Sequence, residues 1–153
     1  MYDRLIFDPD WLVPEQVQVA GQAVHYYAAR EIQYVQHPVA SIQVLNVFVP
    51  AAYLHDGSVN GYQRTTAPIL MPNTVGGYMP GPADDPQRTA WPTNATTIQQ
   101  ALKRGYVVVA AGIRGRTTLD ESGQRVGQAP AFIVDMKAAI RYVKYNQNRL
   151  PGD

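Results

Sequence analysis

The sequence contains no cysteine. Disulfides, thiolate nucleophiles and zinc–thiolate centres are therefore excluded. Charge is sparse, at 16% of residues, and nearly balanced, with a formal net charge of +1 and no long basic run. Neither nucleic acid nor a membrane surface is an expected partner for such a chain. No segment approaches the ~18 consecutive apolar residues of a membrane span. The first stretch, "MYDRLIFDPDWLVPE", carries four acids and lacks a basic start followed by an apolar run. It does not read as a signal peptide, and the default expectation is a cytoplasmic protein. Histidine and serine are scarce too. His25, His37 and His55 include no pair at metal-ligand spacing on a helix. Ser41, Ser58 and Ser122 do not lie in GxSxG or on a strand-to-helix turn. A full nucleophile–base–acid set is thus absent from the pattern.

What is present is a globular composition, 46% hydrophobic over 153 residues. A chain of that length fits one domain and buries roughly two-thirds of its unfolded surface. "EQVQVAGQAVHYYAAREIQYV" alternates apolar and polar residues, breaks at Gly21 and resumes from Val24. That pattern predicts an antiparallel hairpin turning near 20–22. A further strand is predicted over 42–49, stopped by Pro50, and followed by a Gly-punctuated loop. The apolar run at 67–71 predicts a strand buried on both faces, and the valine-rich run 106–113 a central parallel strand. Between them lies a helix with Asn94 or Thr93 as N-cap, an apolar stripe of Ile98, Ala101 and Leu102, and Gly105 past its end. A second helix is predicted over 130–150, with Pro130 in its first turn and apolar residues on more than one face. The fold class is α/β: an antiparallel hairpin, a strand, then strand–helix–strand–helix with a right-handed crossover. The strand at 67–71 would leave one flat apolar edge open, and natural proteins avoid such edges. The closing "RLPGD" has the composition of a turn leading from a helix into a further parallel strand.

The stretch 73–94, from Asn73 to Asn94, holds Gly76, Gly77 and Gly81 among four prolines. Long loops in compact domains are usually functional. It is not a phosphate loop: it is not GxGxxG, and prolines stand where backbone donors are needed. Paired glycines after a buried strand have another use, as an oxyanion hole. Glycine lets backbone approach substrate and aim N–H at developing negative charge. The alternative is a plain loop. Asp84 and Asp85 within it read as solvated turn formers. Asp135, in mid-helix, reads as a loop anchor or the partner of a basic residue. Tyr78 and Trp91 either stack on an aromatic or sugar ligand or pack the loop down. In the ligand-stacking reading the chain is a complete, non-enzymatic α/β binding module that holds its ligand with the loop from Asn73 to Asn94.

Three ordered stretches resemble the esterases of the α/β-hydrolase superfamily. "PILMPNTVGGY" resembles the strand and HGGG-type loop, "GYVVVAAGIRGR" the next strand with Asp-x-Arg-Gly, and "DMKAAIRYVKYNQNRLPGD" the helix that leads to the nucleophile strand. More specifically, "LIFDPDWLVPEQV", "VLNVFVPAAYL", "PILMPNTVGGYMPGPADDPQR" and "VVAAGIRGR" resemble the N-terminal part of bacterial tannases. The resemblance implies residues 1–153 are an incomplete single α/β-hydrolase domain, truncated before the nucleophile strand. It implies a metal-free serine esterase that cleaves galloyl esters of tannins, with a small-molecule galloyl ester as substrate and the remainder of the hydrolase domain as partner. The triad is then expected beyond Asp153, and this chain alone is expected to be inactive. Gly77, with Gly76 as second choice, is the implied oxyanion donor. The family histidine of HGGG is absent, and Gly112 replaces the Asp of Asp-x-Arg-Gly, which leaves Arg114 a structural role.

Overall fold

The computed structural model describes residues 5–153. The first four residues of the stretch read against a signal peptide lie outside it. Strand β1, Val13–Val19, and strand β2, Gln22–Gln33, form the expected antiparallel hairpin. Ala20 and Gly21 turn it with positive φ of 50° and 78°, the backbone of a type I′ turn. Strand β3, Val44–Pro50, pairs antiparallel to β2, with a bulge between Ala29 and Ile32. It starts two residues later than predicted and includes Pro50. The loop after it contains a 3-10 helix, Ala51–His55, that buries Tyr53.

Strand β4, Ile69–Leu70, is two residues long and half-buried, not a five-residue strand buried on both faces. It lies at the edge of the sheet, with one strand neighbour, and its continuation from Met71 onward leaves the sheet at a proline. Helix α1, Ala95–Lys103, carries the chain to strand β5, Val107–Ala111, which pairs parallel with β4. The sheet order is β1-β2-β3-β5-β4. β5 is fully buried and internal, as its valines predict, but it runs antiparallel to β3. Continuous apolar character reports cover on both faces, which β5 has, and not the direction of both neighbours. Helix α2, Ala131–Tyr145, follows; Pro130 caps it from outside, and it ends five residues earlier than predicted.

The helices cover opposite faces of this mixed sheet. Ala139, Tyr142 and Val143 of α2 pack with Leu45, Val47, Val107 and Val109. Ile98, Ala101 and Leu102 of α1 pack with Tyr26, Phe48 and Val108. Alternate residues of β3 and β5 thus divide between two cores, as the pleat dictates. The period of three to four along α1 lays its apolar residues on the second.

The segment after α2 returns to the sheet. Leu150 and Pro151 are buried. The N–H groups of Gly152 and Asp153 donate to the carbonyls of Arg64 and Ala67, each at 2.8 Å. Pro68 offers its carbonyl to Val107 of β5, so the Ala67 carbonyl faces the free side of β4. The apolar edge expected to stand open is therefore met at its start by the turn "RLPGD".

Candidate functional site

β4 and β5 run parallel, so the loops that follow them leave the same edge of the sheet. That edge, at the carboxyl ends of the strands, is where open α/β sheets bind ligands. The two loops are joined there. Gly81 and Ile113 exchange both backbone hydrogen bonds, at 3.0 and 2.7 Å. Arg116 N–H donates to the Tyr78 carbonyl at 2.7 Å. A Cβ on Gly115 would fall on the Pro80 backbone nitrogen, so the two loops touch backbone to backbone.

Gly76 and Gly77 sit at the crest of the first loop. Met79 N–H donates to the Gly76 carbonyl at 3.0 Å and closes a turn whose central residues, Gly77 and Tyr78, have φ of +58° and +63°. Both glycines are exposed, and a Cβ built on either meets nothing within 4 Å. Among the described residues their N–H groups have no acceptor. Tyr78 is held in a left-handed conformation costly for a tyrosine. Its ring leans on Phe132 of α2, centroids 6.3 Å apart, so Tyr78 packs the loop down. Trp91 does not: it is 88% exposed.

Asp84 departs from its expected role. It is 1% exposed, and its carboxylate accepts from the Thr93 hydroxyl at 2.7 Å, the Asp85 N–H at 2.8 Å and the Asn94 N–H. A buried carboxylate is tolerable because donors surround it. Asp85 is not a free turn former either. It pairs with Arg30 of β2, which also grips Glu15 of β1 and lies 5.4 Å over the Phe48 ring. Asn46 completes the attachment, accepting from the Glu31 N–H at 3.0 Å and donating to the Asp84 carbonyl at 2.9 Å. No sequence signal links these positions, whose bonded pairs are 15 to 55 residues apart.

Asp135 does anchor a loop. It is fully buried and accepts from the Arg114 guanidinium at 2.8–3.1 Å, the Arg114 N–H at 2.9 Å and the Gln43 amide at 3.0 Å. Arg114 also donates to the Val126 carbonyl at 2.9 Å, so its role is structural. Gly112 has no room for the aspartate of the esterase pattern: a Cβ there would fall on the Ile42 carbonyl oxygen.

The serines are exposed and bond to no histidine among the described residues. His55 meets Tyr27 at 3.3 Å, and His25 and His37 face solvent. No group of three or more potential metal ligands occurs among the described residues, and no helix there is long and apolar enough to cross a membrane. A cleft of about 740 Å³ lies between the β2–β3 bulge and the proline loop, lined by Arg30, Asn46, Pro82 and Asp85 among others. It does not include the glycine turn, whose open backbone is the more specific feature.

No protein-family model matches this chain, and no curated protein matches it. Solved structures do. Tannin acyl hydrolase from Lactobacillus plantarum is 89% identical over 99% of the chain, with a TM-score of 0.97. A tannin acyl hydrolase in complex with ethyl gallate matches with 89% identity and a TM-score of 0.98. Fusobacterium nucleatum tannase is 41% identical over 97% of the chain, with a TM-score of 0.90. The chain spans 33% of the first two and 31% of the third. The resemblance to bacterial tannases therefore holds over nearly all of this chain and about a third of theirs.

Proposed function

We propose that this chain, matched to tannases over almost its whole length, is the N-terminal third of such an enzyme. The parent is a serine esterase of α/β-hydrolase fold that cleaves galloyl esters through an acyl-enzyme and releases gallic acid. Its nucleophile, base and acid lie beyond Asp153, and no metal or cofactor takes part. This chain contributes the glycine turn: the Gly77 N–H, with Gly76 as second choice, stabilises the oxyanion of the tetrahedral intermediate.

The observation that carries this reading is the turn itself. It sits at the carboxyl end of β4, with free N–H groups, a positive φ at Gly77 and open space over both α-carbons. The Asp153 N–H bond to Ala67 supports the fold reading, because a segment following it would start beside β4, where a nucleophile strand would run. The ethyl gallate complex of the 89%-identical relative supports the substrate class. The binding-module reading retains Trp91, exposed within the loop, but explains neither the tannase match nor the bare N–H groups.

The test uses the longer enzyme and methyl gallate. Gly77→Pro deletes the donor and also forbids the φ of +58°, and should lower kcat by on the order of 100-fold or more. Gly77→Ala keeps the N–H at a modest conformational cost and should lose far less. A Gly77→Pro enzyme within a few-fold of the parent sinks the assignment. Equal losses in both variants would assign the effect to the shape of the turn instead.

A further inference from the structure

Asn94 stands at the N-cap of α1, where an asparagine ordinarily turns its side chain onto the first free helix N–H groups. Here it caps nothing. Its carbonyl accepts the first helical bond from Ile98 at 3.0 Å, but its side-chain amide points away and donates to the Asn73 carbonyl at 2.8 Å. Two neighbours do the capping. Thr93 accepts from the Ala95 N–H at 3.0 Å, and the buried Asp84 carboxylate takes the Asn94 N–H and the Thr93 hydroxyl. A carboxylate at this helix end also has the favourable sign for the helix dipole.

Asn73 is the third residue past β4 and the third before Gly76. Its own side chain accepts from the Val75 N–H at 3.2 Å. The far limb of the glycine turn is held by the Gly81–Ile113 pair and by Arg116 on the Tyr78 carbonyl. The near limb has Thr74, whose hydroxyl donates across to the Pro82 carbonyl at 3.1 Å, and the Asn94 tether. Val75 packs on the core, and among the described residues the tether is the near limb's one side-chain hydrogen bond to the end of a helix.

We propose that Asn94 is a positioning residue for the oxyanion turn: its amide holds the Asn73 carbonyl and so sets where the Gly76–Gly77 N–H groups point, while Asp84 and Thr93 free it from capping α1. The proposal rests on the oxyanion reading above. Small displacements of such donors are costly, because stabilisation depends on their prior placement.

Asn94→Ser in the longer enzyme separates tethering from capping. Serine caps helices as well as asparagine does, but its side chain is too short to reach Asn73. The expected result is a kcat on methyl gallate lower by about 10-fold or more, KM within about 3-fold, and an unchanged melting midpoint. Asn94→Asp, which loses the donor and sets a carboxylate against the Asn73 carbonyl, should lower kcat at least as much. A kcat within about 2-fold of the parent, alongside an impaired Gly77→Pro enzyme, overturns the tether and leaves the oxyanion reading intact. Parallel losses of kcat and melting midpoint in both Asn94 variants overturn it as well, since the residue then serves only the fold. If Gly77→Pro is itself unimpaired, the oxyanion reading fails and the role of Asn94 falls with it.

Discussion

Asp135 has no exposed surface, yet it carries a carboxylate in the middle of a helix. The Arg114 fork, the Arg114 N–H and the Gln43 amide surround it, so α2, the loop after β5 and the entry to β3 meet at one group. Removing one partner of a buried pair leaves the other charge desolvated and unmatched. Asp135→Ala is therefore expected to cost about 3–5 kcal/mol, read as a lower urea midpoint of the longer enzyme at unchanged slope. A cost under about 1 kcal/mol would show that water replaces the carboxylate without penalty. The anchoring role of this aspartate is legible in sequence because an acid between Val134 and Met136 has no apolar reason to be there. Asp84 is not legible in the same way. It stands beside a second aspartate in a proline-rich loop, and its burial depends on Thr93 and Asn94 folding back over it across nine and ten residues.

At the level of elements, local pattern foretells what local forces decide. The hairpin, both helices and the burial of β5 follow from alternation, helical spacing and apolar runs. The pairing of β5 with β3 is missed because antiparallel and parallel neighbours can bury the same valines. The end of α2 is missed because its cause is distant. Asn146 turns its side chain to the Phe7 N–H at 2.7 Å and to the Leu5 carbonyl at 2.9 Å, contacts some 140 residues away in sequence. The proline loop is tied to the hairpin in a similarly long-range way, through Glu15, Arg30 and Asp85. Hydrogen bonding from Arg30 holds the Glu15 carboxyl below its usual value of 4.5. Burial pushes the Tyr26 phenol up to about 12, so it stays protonated and donates to Glu15 at 3.2 Å. A carboxyl lowered on folding stabilises fully above its unfolded value, and the contribution fades as pH falls from there through the lowered one. Glu15→Gln should thus be less stable than the parent at pH 7, by under about 1 kcal/mol because the pair is partly exposed. The difference should close below pH 4.5. A difference that persists unchanged at pH 3, in paired thermal melts, would show that packing and not charge holds the loop to the hairpin.

Across the whole molecule, two surfaces are left without the cover that their chemistry calls for. One is the outer side of β4, met at its start by Gly152 and Asp153. The other is the outward face of α2, where Ile133, Val134 and Ile140 are each more than two-fifths exposed. Isolated exposed apolar residues are ordinary; three along one helix, in a molecule that also has an open strand edge, are a template for association. In the proposed parent both surfaces are covered by the following two-thirds of the domain, so the 153-residue chain by itself should behave differently from the enzyme. It is expected to hydrolyse no methyl gallate, having no serine set against a histidine. It is also expected to self-associate at micromolar concentration in sedimentation velocity, with a broad thermal transition. Adding the two-thirds that the proposal assigns to the parent, as a separate chain, should restore some activity if the two pieces fold around each other, since the glycine turn and the proposed triad would then share one cleft. A monodisperse monomer that melts cooperatively would mean that α2 and β4 are stable without cover. The proposal that they are internal surfaces of a larger domain would then fail, even though the sequence match to tannases stood.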